Sequence, residues 1–223
     1  IALDPSDSTS QQWYSEFLAR MGRFRAADEH IQRALALDPL SPVISVSASA
    51  TVQAARGDDA AAIELAKRAS NLGMKDRAAD LLAVIHLAAG DVRSARTVVP
   101  DGSLEASVVD ALLDPGRKAA ALAVLESAPP GSRRTGSPLS SQMLPLIYLG
   151  EIERAHDAAQ RAVVDRSLFT ADFLVPDASP NMARFREDPR FQALVRDTGL
   201  LDYWRAVGWP DLCRPLGDGV ECD

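Results

Sequence analysis

The chain has 223 residues, enough to bury a sizeable core, and its formal charge of −7 with scattered basic residues excludes a nucleic-acid-binding surface. Ala, Leu and Val dominate, aromatics make up 5%, and Gly and Pro act as punctuation, which is the profile of an all-helical protein. No apolar run approaches the roughly 18 residues that span a bilayer, so no direct membrane insertion is expected.

Ile1-Ala-Leu-Asp-Pro at the start matches Leu35-Ala-Leu-Asp-Pro39. The chain is therefore expected to begin inside a repeat, as a fragment whose upstream sequence and targeting signals are missing. Met21–Pro39 sets the pattern: Gly22 is followed by Ala27, Ile31, Ala34, Leu35 and Pro39. On a helix, positions 27, 31, 34 and 35 share one face. Small residues at 27 and 34 allow close approach of a neighbour, while Ile31 and Leu35 fill the seam. Gly22 suits the left-handed residue that ends a preceding helix, and Pro39 cannot continue the one it follows.

This Gly-x4-Ala step recurs at Gly22/Ala27, Gly57/Ala62, Gly90/Ala95, Gly116/Ala121 and Gly150/Ala155, with the glycines 35, 33, 26 and 34 residues apart. A second alanine, twelve residues beyond the glycine, stands at 34, 69, 128 and 162. In the third unit that position is Gly102, just past Pro100, so the second helix there must be short. Five such steps in order define a repeat array. The stretch at 128–138, APPGSRRTGSP, reads as the longest linker and a mobile loop.

Residues 8–39 supply Ser15, Gly22, Ala27, Ile31, Ala34 and Pro39, and in this pattern the chain resembles a tetratricopeptide repeat (TPR) protein. The family's usual early Trp is displaced, with Trp13 and Tyr14 nearby. Further units fall at 43–72, 75–99, 103–128 and 138–163, the third and fourth degenerate and the fifth interrupted by Pro145, which should kink or shorten its first helix. The resemblance implies a right-handed superhelix of antiparallel helix pairs over residues 1–165.

Residues 166–223 depart from the repeat. Ser179-Pro180 and Asp188-Pro189 read as N-caps followed by Pro at the first helical position. A short helix closed by Gly199 should carry Phe191, Leu194 and Val195 on one side, followed by another with Tyr203, Trp204 and Trp209. Seven of the twelve aromatics lie between Phe169 and Trp209, spaced for helix packing and without convergent polar groups. A helical cap over the last repeat is therefore expected in preference to an aromatic ligand pocket. Cys213 and Cys222 either close a short disulfide or remain free thiols; a bridge would favour the periplasm over the cytoplasm. With only two cysteines and with His30, His86 and His156 scattered, no zinc or other metal site is expected. The stretch DPRFQALVRDTGLLDYWRAVGWPDLC resembles the tail of some bacterial multidomain TPR proteins, in which repeats follow a membrane-anchored winged-helix domain of the CadC/ToxR-like kind or a cyclase-like domain.

No GxSxG, HExxH, Walker loop or GxGxxG occurs, and His86 within an apolar helix reads as a buried or half-buried residue. Neither an enzyme nor a cofactor is expected. In the TPR family the first helix of each unit lines a concave groove. The resemblance places Gln12, Glu16, Arg20, Ser47, Thr51, Asp80, Val84 and Asp110 there, a small, polar, mildly acidic set suited to an extended peptide or a helix. Family members that clamp a C-terminal carboxylate use Lys and Asn at these positions; Glu16 would repel one. The leading expectation is a non-catalytic scaffold for a protein or peptide partner. The alternative is a ligand-sensing or dimerising periplasmic domain of a bacterial membrane-anchored regulator, acting through its convex face or aromatic cap, the dimerising version as a homodimer.

Overall fold

A computed structural model describes residues 6–127, 142–164 and 179–222. Among them are thirteen α-helices: α1 Ser8–Arg20, α2 Phe24–Leu37, α3 Pro42–Arg56, α4 Asp59–Asn71, α5 Lys75–Ala88, α6 Val92–Val98, α7 Leu104–Leu113, α8 Lys118–Ser127, α9 Met143–Tyr148, α10 Ile152–Val164, α11 Pro180–Glu187, α12 Pro189–Asp197 and α13 Leu200–Val207. The all-helical expectation holds with one departure. β1 Cys213–Leu216 and β2 Gly219–Cys222 form an antiparallel hairpin with Cys213 opposite Cys222.

Side-chain caps start six of the described α-helices. Asp7, Ser41, Asp58, Asp91 and Ser103 each accept a backbone N–H from the first turn that follows, and Asp188 does so ahead of Pro189. Four of the five repeat glycines (22, 57, 90 and 150) lie in the left-handed region, with φ between 61° and 76°. Gly116 does not. It sits in a 3-10 turn, Pro115–Arg117, so its place in the sequence spacing answers to no conformational need for glycine. α6 is seven residues long, as Pro100 and Gly102 require. Pro145 falls in the first turn of the six-residue α9, where a missing N–H leaves no helical bond unmade.

Consecutive helices from α1 to α8 pack on one another, and so do α1 with α3 and α3 with α5. Connections of only a few residues between packed neighbours make each such pair antiparallel. The alanines at 27, 34, 62, 69, 95, 121 and 155 are all buried at these seams, whereas Ala162 is half-buried and Ala128 lies outside the described residues. Close approach is shown by two equivalent bonds: Ser15 Oγ donates to the carbonyl of Ala27 at 2.8 Å, and Ser49 Oγ to that of Ala62 at 2.6 Å. Ile31 and Ala34 of α2 meet Ile44 and Ala48 of α3, and Ala62 and Ala66 of α4 meet Leu81 and Ile85 of α5.

The largest core joins Leu87, Val108, Ile147, Phe185, Phe191, Trp204 and Val220 to Phe24 of α2. α11 packs on α9 and α10, and α12 packs on α10. α13 and the segment after it reach back to the turn between α1 and α2, so the C-terminal region touches both ends of the helix array. The linker stretch at 128–138, and Phe169, lie outside the described residues.

Candidate interaction surface

The residues assigned to the groove divide into three sets. Gln12, Glu16 and Ser47 come together where α1 meets α3. Glu16 Oε1 accepts from Gln12 Nε2 at 2.9 Å and from Ser47 Oγ at 2.7 Å, and Gln12 Nε2 also lies 3.2 Å from Ser47 Oγ. Arg20, half exposed, stands 3.8 Å from Glu16. Thr51 is buried one turn beyond Ser47 and donates to its carbonyl at 2.9 Å. On α5, Asp80 is buried and Val84 packs half-buried against the largest core. Asp110 on α7 pairs with Arg96 at 2.6 Å and Arg117 at 3.4 Å. The first set forms a mutually satisfied polar seam whose accessible charges are Glu16 and Arg20.

Sequence spacing equates Gln12 with Ser47 through their glycines. The Ser-to-carbonyl bonds fix a different register: Ser15 and Ser49, 34 residues apart, are equivalent, so Ser47 corresponds to Trp13 and Thr51 to Phe17. α3 simply has one residue more than α1 before its glycine.

A second cluster, unannounced by local pattern, holds the C-terminal region to the first pair. Trp204 is fully buried and its indole Nε1 donates to the Met21 carbonyl, at the end of α1, at 3.0 Å. Tyr203 meets Phe17 edge-on at 6.1 Å. Asp211 donates its N–H to Gly22 O at 2.9 Å, while its carboxylate accepts from Arg25 N at 2.8 Å and Arg25 Nε at 2.9 Å. Residue Arg23, at the N-cap of α2, makes no capping bond of its own, so Asp211 caps that helix from 186 residues away. The only forewarning in the sequence is the concentration of aromatics after residue 165.

Cys213 and Cys222 are disulfide-bonded. Their hairpin docks on α12 through Gln192, which donates to Val220 O at 2.5 Å and accepts from Val220 N at 3.1 Å. A Cβ added at Gly219 would lie 2.5 Å from Gln192 Oε1, so a side chain there would displace the Gln192 amide.

His156 is buried on α10, stacked on Phe185 at 4.0 Å, with Nε2 donating to the Phe185 carbonyl at 3.1 Å and 3.9 Å from Asp188. Burial pushes its imidazole below the ordinary histidine range, against the pull of the Asp188 carboxylate. Hydrogen bonds from Arg190 hold Asp188 far below the usual carboxylate range. His30 is half-buried, bonded through Nδ1 to Gln11 Oε1 at 2.7 Å, and desolvation lowers it as well. These histidines hold helices together, each in its own setting. Among the described residues, no group of three His, Cys, Asp or Glu side chains is placed to hold a metal ion, and no helix is long and apolar enough to cross a membrane.

A scan against protein-family models finds no match, and neither does a search of curated proteins.

Proposed function

We propose that the chain is a non-catalytic TPR-type scaffold, its helix pairs following a right-handed superhelix, that holds a protein or peptide partner along the α1–α3 side. The observation that carries this reading is the repeated seam. Equivalent serines bond to equivalent alanine carbonyls across the first two pairs, with buried alanines at the spacing of the sequence repeat. Buried Gln12 and half-buried Ser47 fix the Glu16 carboxylate by hydrogen bonds, and Glu16 with Arg20 offers accessible charge of both signs to an extended peptide. Thr51, being buried, supports the seam from beneath.

Selection from a displayed peptide library on the intact chain tests this. Enriched peptides are expected to bind saturably and to lose at least about tenfold in affinity to a Glu16→Gln/Arg20→Gln double variant. Undiminished binding by the folded variant rejects the groove.

One observation favours a second reading, a ligand-sensing or dimerising periplasmic domain of a bacterial membrane-anchored regulator. The Cys213–Cys222 bridge belongs to an oxidising compartment. Light scattering combined with crosslinking separates the two, since a strict monomer removes the dimerising version.

A further inference from the structure

The tail hairpin is too small to hold itself. Each strand has four residues, and an isolated two-stranded ribbon is marginal in water. Of its side chains only Cys213 and Val220 are buried, and Leu216 stands exposed. The Cys213–Cys222 bridge ties the two strand ends together at the end away from the Gly217-Asp218 turn. Docking adds the Gln192 bonds to Val220 and one bond from Arg205 Nη2 to the Asp218 carbonyl at 2.8 Å.

The bridge also fixes the segment just before it. Cys213 N donates to Pro210 O at 3.3 Å, closing a turn around Asp211 and Leu212. At its other end the segment starts from Trp209, whose ring lies 6.2 Å from that of Trp204. Asp211 is held between these two anchors. Its N–H reaches Gly22 O and its carboxylate accepts from Arg25 N, at a helix start where Arg23 makes no capping bond. The covalent closure of the tail therefore sits two residues from the group that secures the entry to α2.

The geometry points to a thiol-sensitive latch: the Cys213–Cys222 bridge couples the redox state of the tail to the capping of α2, with a dithiol as the reductant. Cys213 is buried and Cys222 half-buried, so the attack falls on Cys222 Sγ. A thiolate of the dithiol bonds to that sulfur, the S–S bond breaks, and its electron pair leaves on Cys213 Sγ, which takes up a proton. The second thiolate then displaces Cys222 as a thiol and closes the reagent to its own disulfide, so two electrons pass from dithiol to bridge. Without its closure the hairpin loses its register, Cys213 is free to leave the core, and the turn that aims Asp211 at Arg25 opens. This device goes beyond the scaffold reading and stands whether or not a peptide binds along α1 and α3.

The test is hydrogen exchange resolved residue by residue by NMR on the intact chain, with and without dithiothreitol, free thiols being titrated in parallel. In the reduced chain the Arg25 amide is expected to exchange at least about fivefold faster, as loss of a helix cap requires, together with the amides of 213–222. The helices α3 and α4, away from the latch, should keep their rates. Asp211→Ala in the oxidised chain should reproduce the rise at Arg25, leave the hairpin protected, and show no further rise at Arg25 on reduction. An Arg25 amide that keeps its rate in the reduced chain overturns the proposal, as does a bridge that dithiothreitol leaves intact. Equal acceleration in α3 and α4 overturns it too, since that is general destabilisation. An oxidised Asp211→Ala chain with unchanged exchange at Arg25 refutes the route through Asp211.

Discussion

Trp204→Ala is the sharpest test of how the two ends of the array depend on each other. The indole is fully buried and bonded to Met21 O across 183 residues of sequence. Truncating a buried Trp removes its transfer free energy and leaves a cavity, about 3–5 kcal/mol. At about 2–4 °C per kcal/mol for a chain of this size, the midpoint of thermal unfolding should fall by roughly 6–20 °C. Trp204→Phe keeps most of the apolar volume but orphans the Met21 carbonyl, for about 1–3 kcal/mol. Peptide-resolved hydrogen exchange locates the damage. In a stack where each pair touches only its neighbours, loosening at α13 would fade before reaching the far end. Here protection should drop in α1 and α2 as well as in α11–α13. If α1 and α2 keep their protection while α13 loses it, the contact is idle and the reasoning fails.

Acid sensitivity should follow the histidines. His156 and His30 are held below their ordinary pKa, so below about pH 6.5 the unfolded chain binds more protons than the folded one and stability declines as pH falls. His156→Gln should flatten that limb in urea titrations between about pH 5 and 7, and His30→Gln should do the same independently; an unchanged slope contradicts the burial argument. A separate loss at more acidic pH belongs to Asp188, whose depressed carboxyl stabilises the fold until it is protonated. The glycines offer a contrast in stability measurements. Gly57→Ala forces a side chain into φ of 61°, at about 1–2 kcal/mol. Gly116→Ala meets only the exposed Asp114 carboxylate at 3.1 Å and should change stability by less than about 0.5 kcal/mol. Equal losses at the two sites would falsify the backbone assignment.

Local signals made much of this fold legible. Caps such as Ser41 and Asp188, the small residues at the seams, the truncation of α6 and the buried side of α12 all follow from neighbours within a turn or two. Gly116 shows the converse, a spacing match whose backbone does something else. Glycine spacing pairs Gln12 with Ser47, while the packed helices align Ser15 with Ser49, one residue out of step with it. The tail hairpin had a readable sign in Gly217-Asp218, a two-residue turn with Gly217 at φ of 55° between the paired strands. For the meeting of Trp204 with Met21 the concentration of aromatics after residue 165 named no partner, since a contact between segments so far apart depends on the path of every helix between them.

The cap that Asp211 provides to α2 has a consequence for how the protein is made. Arg25 leaves the ribosome 186 residues before its partner, which at about 5–20 residues per second is a delay of roughly 10–40 s. Throughout that interval the entry to α2 frays unsecured, and a nascent chain stalled short of Asp211 presents its first hairpin to chaperones and proteases in a looser state than the finished molecule ever shows.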